Sequence, residues 1–141
     1  FVGPTFKNKA DLVANAYELQ QIFMNKPCKS LAADDTTVTT GLKEPFWFVT
    51  AENTKATAIT DITGARAGVA YIIECGSTTN ASTIAKSGKF DSITAAWNPT
   101  ELGDYIMVIL NSKNKFIELE RCVGGVRAVN KLLQPNVPGA R

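Results

Sequence analysis

The stretch Tyr105-Ile-Met-Val-Ile-Leu110, followed by Asn111-Ser-Lys-Asn114 and Lys115-Phe-Ile-Glu-Leu-Glu120, decides the reading of this chain. An apolar run rich in β-branched residues meets four turn formers and then a second run, the pattern of a β-hairpin. The first run is apolar at every position. Side chains alternate between the two faces of a strand, so this one is expected to be covered on both sides. The second run alternates, with Ile117 and Leu119 on one face and Phe116, Glu118 and Glu120 on the other, which places it nearer a sheet edge.

The same texture extends upstream. Fourteen of the fifteen Thr fall between residues 36 and 100, and Thr suits the half-wet face of a strand. Further strands are expected over Pro45–Thr50, Ala56–Ile62, Val69–Cys75, Ser82–Ala85 and Phe90–Ala95. Thr63-Gly64, Gly76-Ser77, Ser87-Gly88, Asn98-Pro99 and Gly103-Asp104 separate them. Short strands with regularly spaced turn signals indicate an all-β sandwich, barrel or solenoid. Downstream, a short helix is expected from Val123 to Leu133 around Gly124-Gly125. Pro135, Pro138 and Gly139 make the last residues a tail.

One amphipathic helix is expected before the strands. Asn8 can cap it, and Asp11 sits in its first turn, where the helix dipole favours an anion. Leu12, Ala16, Leu19 and Phe23 recur at helical spacing with Ile22 beside them, while Asn15, Glu18 and Gln21 lie opposite. Pro27 ends it. About four turns are marginal in isolation, so the stripe is expected to dock on the rest of the domain or on a neighbouring subunit. The chain thus divides into an N-terminal arm and helix (residues 1–30), a β domain (31–122) and a basic tail (123–141). The expected fold is mainly β, a sandwich-like or solenoid-like module with one N-terminal amphipathic α-helix.

Composition narrows function by exclusion. The 141 residues contain no His. That removes the commonest general base and the usual zinc ligands, and no CxxC spacing replaces them. No catalytic residue, metal site or cofactor is expected. Cys28, Cys75 and Cys122 read as reduced thiols acting as small apolar residues, in keeping with assembly in a reducing cytoplasm. A net charge of +2 is too small to predict nucleic-acid binding. No apolar run approaches the ~20 residues of a membrane span, and residues 1–25 lack a signal-peptide layout. Charge is uneven: −3 over residues 35–111 and +4 over 112–141. An acidic middle and a basic end favour contact between copies or with an acidic neighbour.

The remaining clusters have mostly structural readings. Acids such as Asp61, Asp91, Glu101 and Asp104 fall at strand ends and turns. Asp34-Asp35 reads as a solvated loop, and Gly64-Ala-Arg-Ala-Gly68 as a turn between strands. Phe46-Trp47-Phe48 is expected in the core. Trp97 and Tyr71 are candidate platforms for a sugar ring.

One longer pattern runs through the β region. It comprises Asn53-Thr-Lys-Ala-Thr-Ala-Ile-Thr-Asp-Ile-Thr-Gly64, Ala67-Gly-Val-Ala-Tyr-Ile-Ile73, Ser82-Thr-Ile84, Gly88-Lys-Phe90, Trp97-Asn-Pro99, Gly103-Asp-Tyr-Ile-Met-Val-Ile109 and Lys115-Phe-Ile-Glu-Leu119. Across residues 50–121 it resembles the β-repeat module of tailed-bacteriophage virion fibres and spikes. The resemblance implies a non-enzymatic virion protein (head fibre, tail fibre or capsid decoration), usually a homotrimer, assembled in the host cytoplasm. Its partners would be further copies of itself and other virion proteins such as the capsid, with a host-surface glycan as a candidate ligand. Neither specific nucleic acid nor membrane insertion is expected. Strand faces buried between copies would give it stability, and Ile72, Tyr105, Met107, Ile109 and Ile117 are the expected oligomer-interface residues. A carbohydrate-binding β module of a bacterial surface or secreted protein, using Trp97 and Tyr71, is the alternative.

Overall fold

In a computed structural model, which describes residues 28–41 and 45–130, the hairpin supplies two inner strands of a mixed six-stranded sheet, the second of them next to an edge strand. β6 (Tyr105–Leu110) pairs antiparallel with β7 (Phe116–Val123), and Asn111 closes the loop by accepting the Lys113 and Lys115 N–H groups on Oδ1. On its other side β6 pairs antiparallel with β5 (Ala70–Glu74). β5 in turn lies parallel to β3 (Trp47–Val49), and β3 parallel to the two-residue edge strand β1 (Lys29–Ser30). β8 (Val126–Val129) closes the opposite edge against β7. A separate two-stranded parallel sheet joins β2 (Thr37–Thr39) to β4 (Asp61–Thr63). The architecture is mainly β, and the sheet neither closes on itself nor repeats as a solenoid.

Several expected elements change identity. Val126–Val129 is a strand, not part of a helix. Gly124 and Gly125 both take positive φ (60° and 76°), the two-residue reverse turn whose twist suits a hairpin. β-branched Val126 and Val129 then continue the sheet, which therefore runs past residue 122 at one edge and begins before residue 31 at the other. Phe90–Ala95 is not a strand. A short 3-10 turn at Gly88–Phe90 leads into further turns, and Phe90 and Ile93 are drawn individually into the core. Of Ala56–Ile62, Asp61 and Ile62 belong to β4, while Ser82–Ala85 contributes only isolated bridges, Ala58 to Thr83 and Ile84 to Trp97. The expected helix over residues 8–26 lies outside the described residues.

The core sits on one face of the large sheet. Phe48, Ile73, Ile106, Val108 and Phe116 project from it and are fully buried. Val38, Ile59, Ile62, Ile84, Phe90, Ile93 and Trp97 pack over them from the smaller sheet and the loops. Phe90 stacks on Phe116 with ring centroids 4.8 Å apart. Two polar devices lock this layer. Glu118, 2% exposed, accepts from Arg121 and from the Thr94 hydroxyl (2.9 Å), while Arg121 also donates to the Ala95 and Ala96 carbonyls. Asp104 accepts the backbone N–H groups of Thr100, Glu101, Gly124 and Gly125 at 2.8–3.1 Å, tying two loops to the start of β6. Burial pushes the Asp104 pKa up, but these four hydrogen bonds outweigh it and bring it down to about 2.

Candidate functional site

The other face of the same sheet is the candidate site. Residues in direct register share a face, so the pairing defines three rows. The first runs Trp47, Ile72, Met107, Glu120, Val129; the second Val49, Glu74, Tyr105, Cys122, Arg127; the third Ala70, Ile109, Ile117. All five expected interface residues (Ile72, Tyr105, Met107, Ile109 and Ile117) stand together in these rows. None belongs to the buried core cluster. Along β6, buried and half-buried residues alternate strictly. The strand expected to be covered on both sides is thus fully covered on one. On this open face Tyr105, Met107, Ile109 and Ile117 remain half-buried. Ile72, between Trp47 and Met107, is 8% exposed, yet it too lies outside the core cluster.

A bulge shapes this face. Met107 pairs with Glu120 and Val108 with Glu118, which leaves Leu119 as an extra residue. Strict alternation would place Glu118 and Glu120 together. The bulge sends Glu118 into the core face and Glu120 onto the open one. Sequence periodicity misses this because nothing in Phe116–Glu120 marks the inserted residue.

The two carboxylates on the open face are already paired within the sheet. Glu74 Oε1 accepts the Trp47 indole N–H at 3.1 Å. Glu120 accepts the Tyr105 hydroxyl at 2.5 Å and forms an ion pair with Arg127. The Arg127 hydrogen bond, then that of Tyr105, hold the Glu120 pKa below its usual value, and the bond to Glu120 raises that of Tyr105. Trp47 and Val49 are further members of the surface that sequence reasoning did not select. For Trp47 the expectation was the core, yet of Phe46-Trp47-Phe48 only Phe48 is buried there, and Phe46 is 40% exposed.

The proposed sugar platforms are corrected by burial. Trp97 is 0% exposed and directs its indole N–H toward the Cys122 carbonyl; Tyr71 is 4% exposed and its hydroxyl accepts the Arg66 N–H at 2.9 Å. Neither ring presents a face on which a sugar could stack. Both are structural, at the centre and rim of the core. The helix docking residues Leu12, Ala16, Leu19 and Phe23 lie outside the described residues.

The three cysteines are free thiols. Cys28 is exposed, and burial raises the pKa of Cys75 and Cys122. Among the described residues no group of His, Cys, Asp or Glu has the makings of a metal site, and no helix is long and apolar enough to cross a membrane. Fold and site together define a mainly-β module with one packed sheet face and one broad apolar face outside the core. Comparison with protein-family models, with curated proteins and with solved structures finds no match.

Proposed function

We propose that this protein is a structural subunit of a bacteriophage virion, part of a capsid-attached fibre or decoration, whose copies assemble as a homotrimer by burying the open sheet face. The observation that carries the assembly reading is the pre-paired state of Glu74 and Glu120 beside the apolar Ile72, Met107, Ile109 and Ile117. Covering a carboxylate costs several kcal/mol unless it is already hydrogen-bonded and charge-matched. A face that stayed in water would gain little from such pairing. The pattern over residues 50–121 supports the virion assignment.

In this reading the work is mechanical. Ile72, Met107, Ile109 and Ile117 supply apolar area worth roughly 25 cal/mol per Å² removed from water. Interfaces between obligate partners bury on the order of 2,000 Å² or more. The site has no catalytic role and takes no cofactor, and the second partner is another virion protein such as the capsid.

The test is Ile109→Asp. Ile109 faces Ala70 and Ile117 in the third row, so an unpaired carboxylate there would be trapped in the interface. Size-exclusion chromatography with light scattering is expected to give a multimer for wild type and a 15 kDa particle for the variant, with the β circular-dichroism signal retained. A folded variant of wild-type mass would overturn the proposal.

A further inference from the structure

We infer that the open face of each copy is covered by residues 8–23 of a neighbouring copy. This inference rests on the assembly reading above and names the occupant. Three observations lead to it. First, symmetry excludes the simplest alternative. Two identical faces can meet across a two-fold axis, but in a ring of three each contact joins different surfaces of adjacent copies. The open face therefore needs a second, different apolar surface on the same chain. Second, the sequence offers one. Leu12, Ala16, Leu19 and Phe23 form a stripe on a segment too short to be stable unless it docks. Third, the dimensions agree. A helix over residues 8–26 would be ~28 Å long at 1.5 Å per residue. Six strands at ~4.8 Å spacing make a sheet ~24 Å wide.

The point of attachment favours exchange between copies. The segment joins the sheet immediately before β1, the edge strand. That edge, in a ring, would border the next copy. Each segment would then cross its neighbour's rows of Ile72, Met107 and Ile109, and the same contact would repeat around the ring.

The experiment uses three full-length chains: wild type, Leu19→Asp and Ile109→Asp. Each variant has one half of the contact intact. Light scattering is expected to show a multimer for wild type and a monomer for each variant alone. Mixed in equal amounts, the variants are expected to form a two-chain species, because the Ile109→Asp segment can dock on the intact face of Leu19→Asp. Circular dichroism, and a second pair made of Leu12→Asp and Met107→Asp, separate lost docking from misfolding. If Leu19→Asp keeps the wild-type mass while Ile109→Asp dissociates, sheet meets sheet. The inference then fails and the assembly reading survives. If both variants are monomers and no mixed species forms, each segment folds onto its own chain, which also overturns the inference. A monomeric wild type overturns the assembly reading itself.

Discussion

The two faces of the large sheet are built from neighbouring residues of the same strands, and they differ in how their polar groups are used. On the covered face, Glu118 and Arg121 fasten the sheet to the Thr94–Ala96 loop, so the pair binds one layer to another. On the open face, Glu74 and Glu120 bind, among the described residues, to Trp47, Tyr105 and Arg127 within the sheet. The first arrangement completes a core. The second leaves a surface whose carboxylates are paired and whose apolar residues Tyr105, Met107, Ile109 and Ile117 are only half-buried. Among the described residues, the polar groups of the covered face reach across to a second layer, and those of the open face are satisfied inside the sheet itself.

Substitutions should separate the faces by size of effect. Phe116→Ala, which removes a fully buried ring stacked on Phe90, should cost about 3–5 kcal/mol in urea unfolding, whatever the oligomeric state. Arg121→Ala leaves Glu118 buried without its cation and should cost about 3 kcal/mol. Asp104 gives a pH test. Its folded-state pKa of about 2 lies below the ordinary aspartate value, so its contribution, of order 2 kcal/mol, is complete above pH ~4. It is lost as pH falls through the folded-state value. Asp104→Asn should flatten that part of the stability–pH curve. Met107→Ser belongs to the other regime. In dissociated chains it should change unfolding free energy by less than about 1 kcal/mol, while weakening assembly as followed by dilution in light scattering. A large loss of stability in the isolated chain would place Met107 in a core and erase the contrast between the faces.

Much of this contrast is legible in the sequence. The unbroken apolar run at Tyr105–Leu110 leads to the expectation of cover on both sides, of which the structure shows full burial on one, and the shared face of Met107 and Ile109 follows from period-two alternation. Alternation fails where the chain adds a residue. The bulge at Leu119 moves Glu120 across the sheet, and only the partner strand's register reveals it. Aromatic residues mislead for another reason. Trp97 precedes the turn former Asn98-Pro99, in keeping with an accessible ring, but a bridge to Ile84 pulls it inward. The contact is long-range, and local composition carries no record of it. The Val123–Leu133 expectation fails because Gly124-Gly125 supports a tight hairpin as readily as a helix start, and β7 offers an edge on which the next residues can pair. Asp104 shows a middle case. Gly103-Asp104 is visible as a turn, but that its carboxylate gathers four N–H groups from two loops depends on the hairpin after β7 folding back beside it.

Native mass spectrometry of the wild-type protein addresses the central claim most directly. The account predicts a trimer, three times the 15.2 kDa chain mass. A folded single chain persisting at high concentration would contradict it, because the open face would then need no second copy.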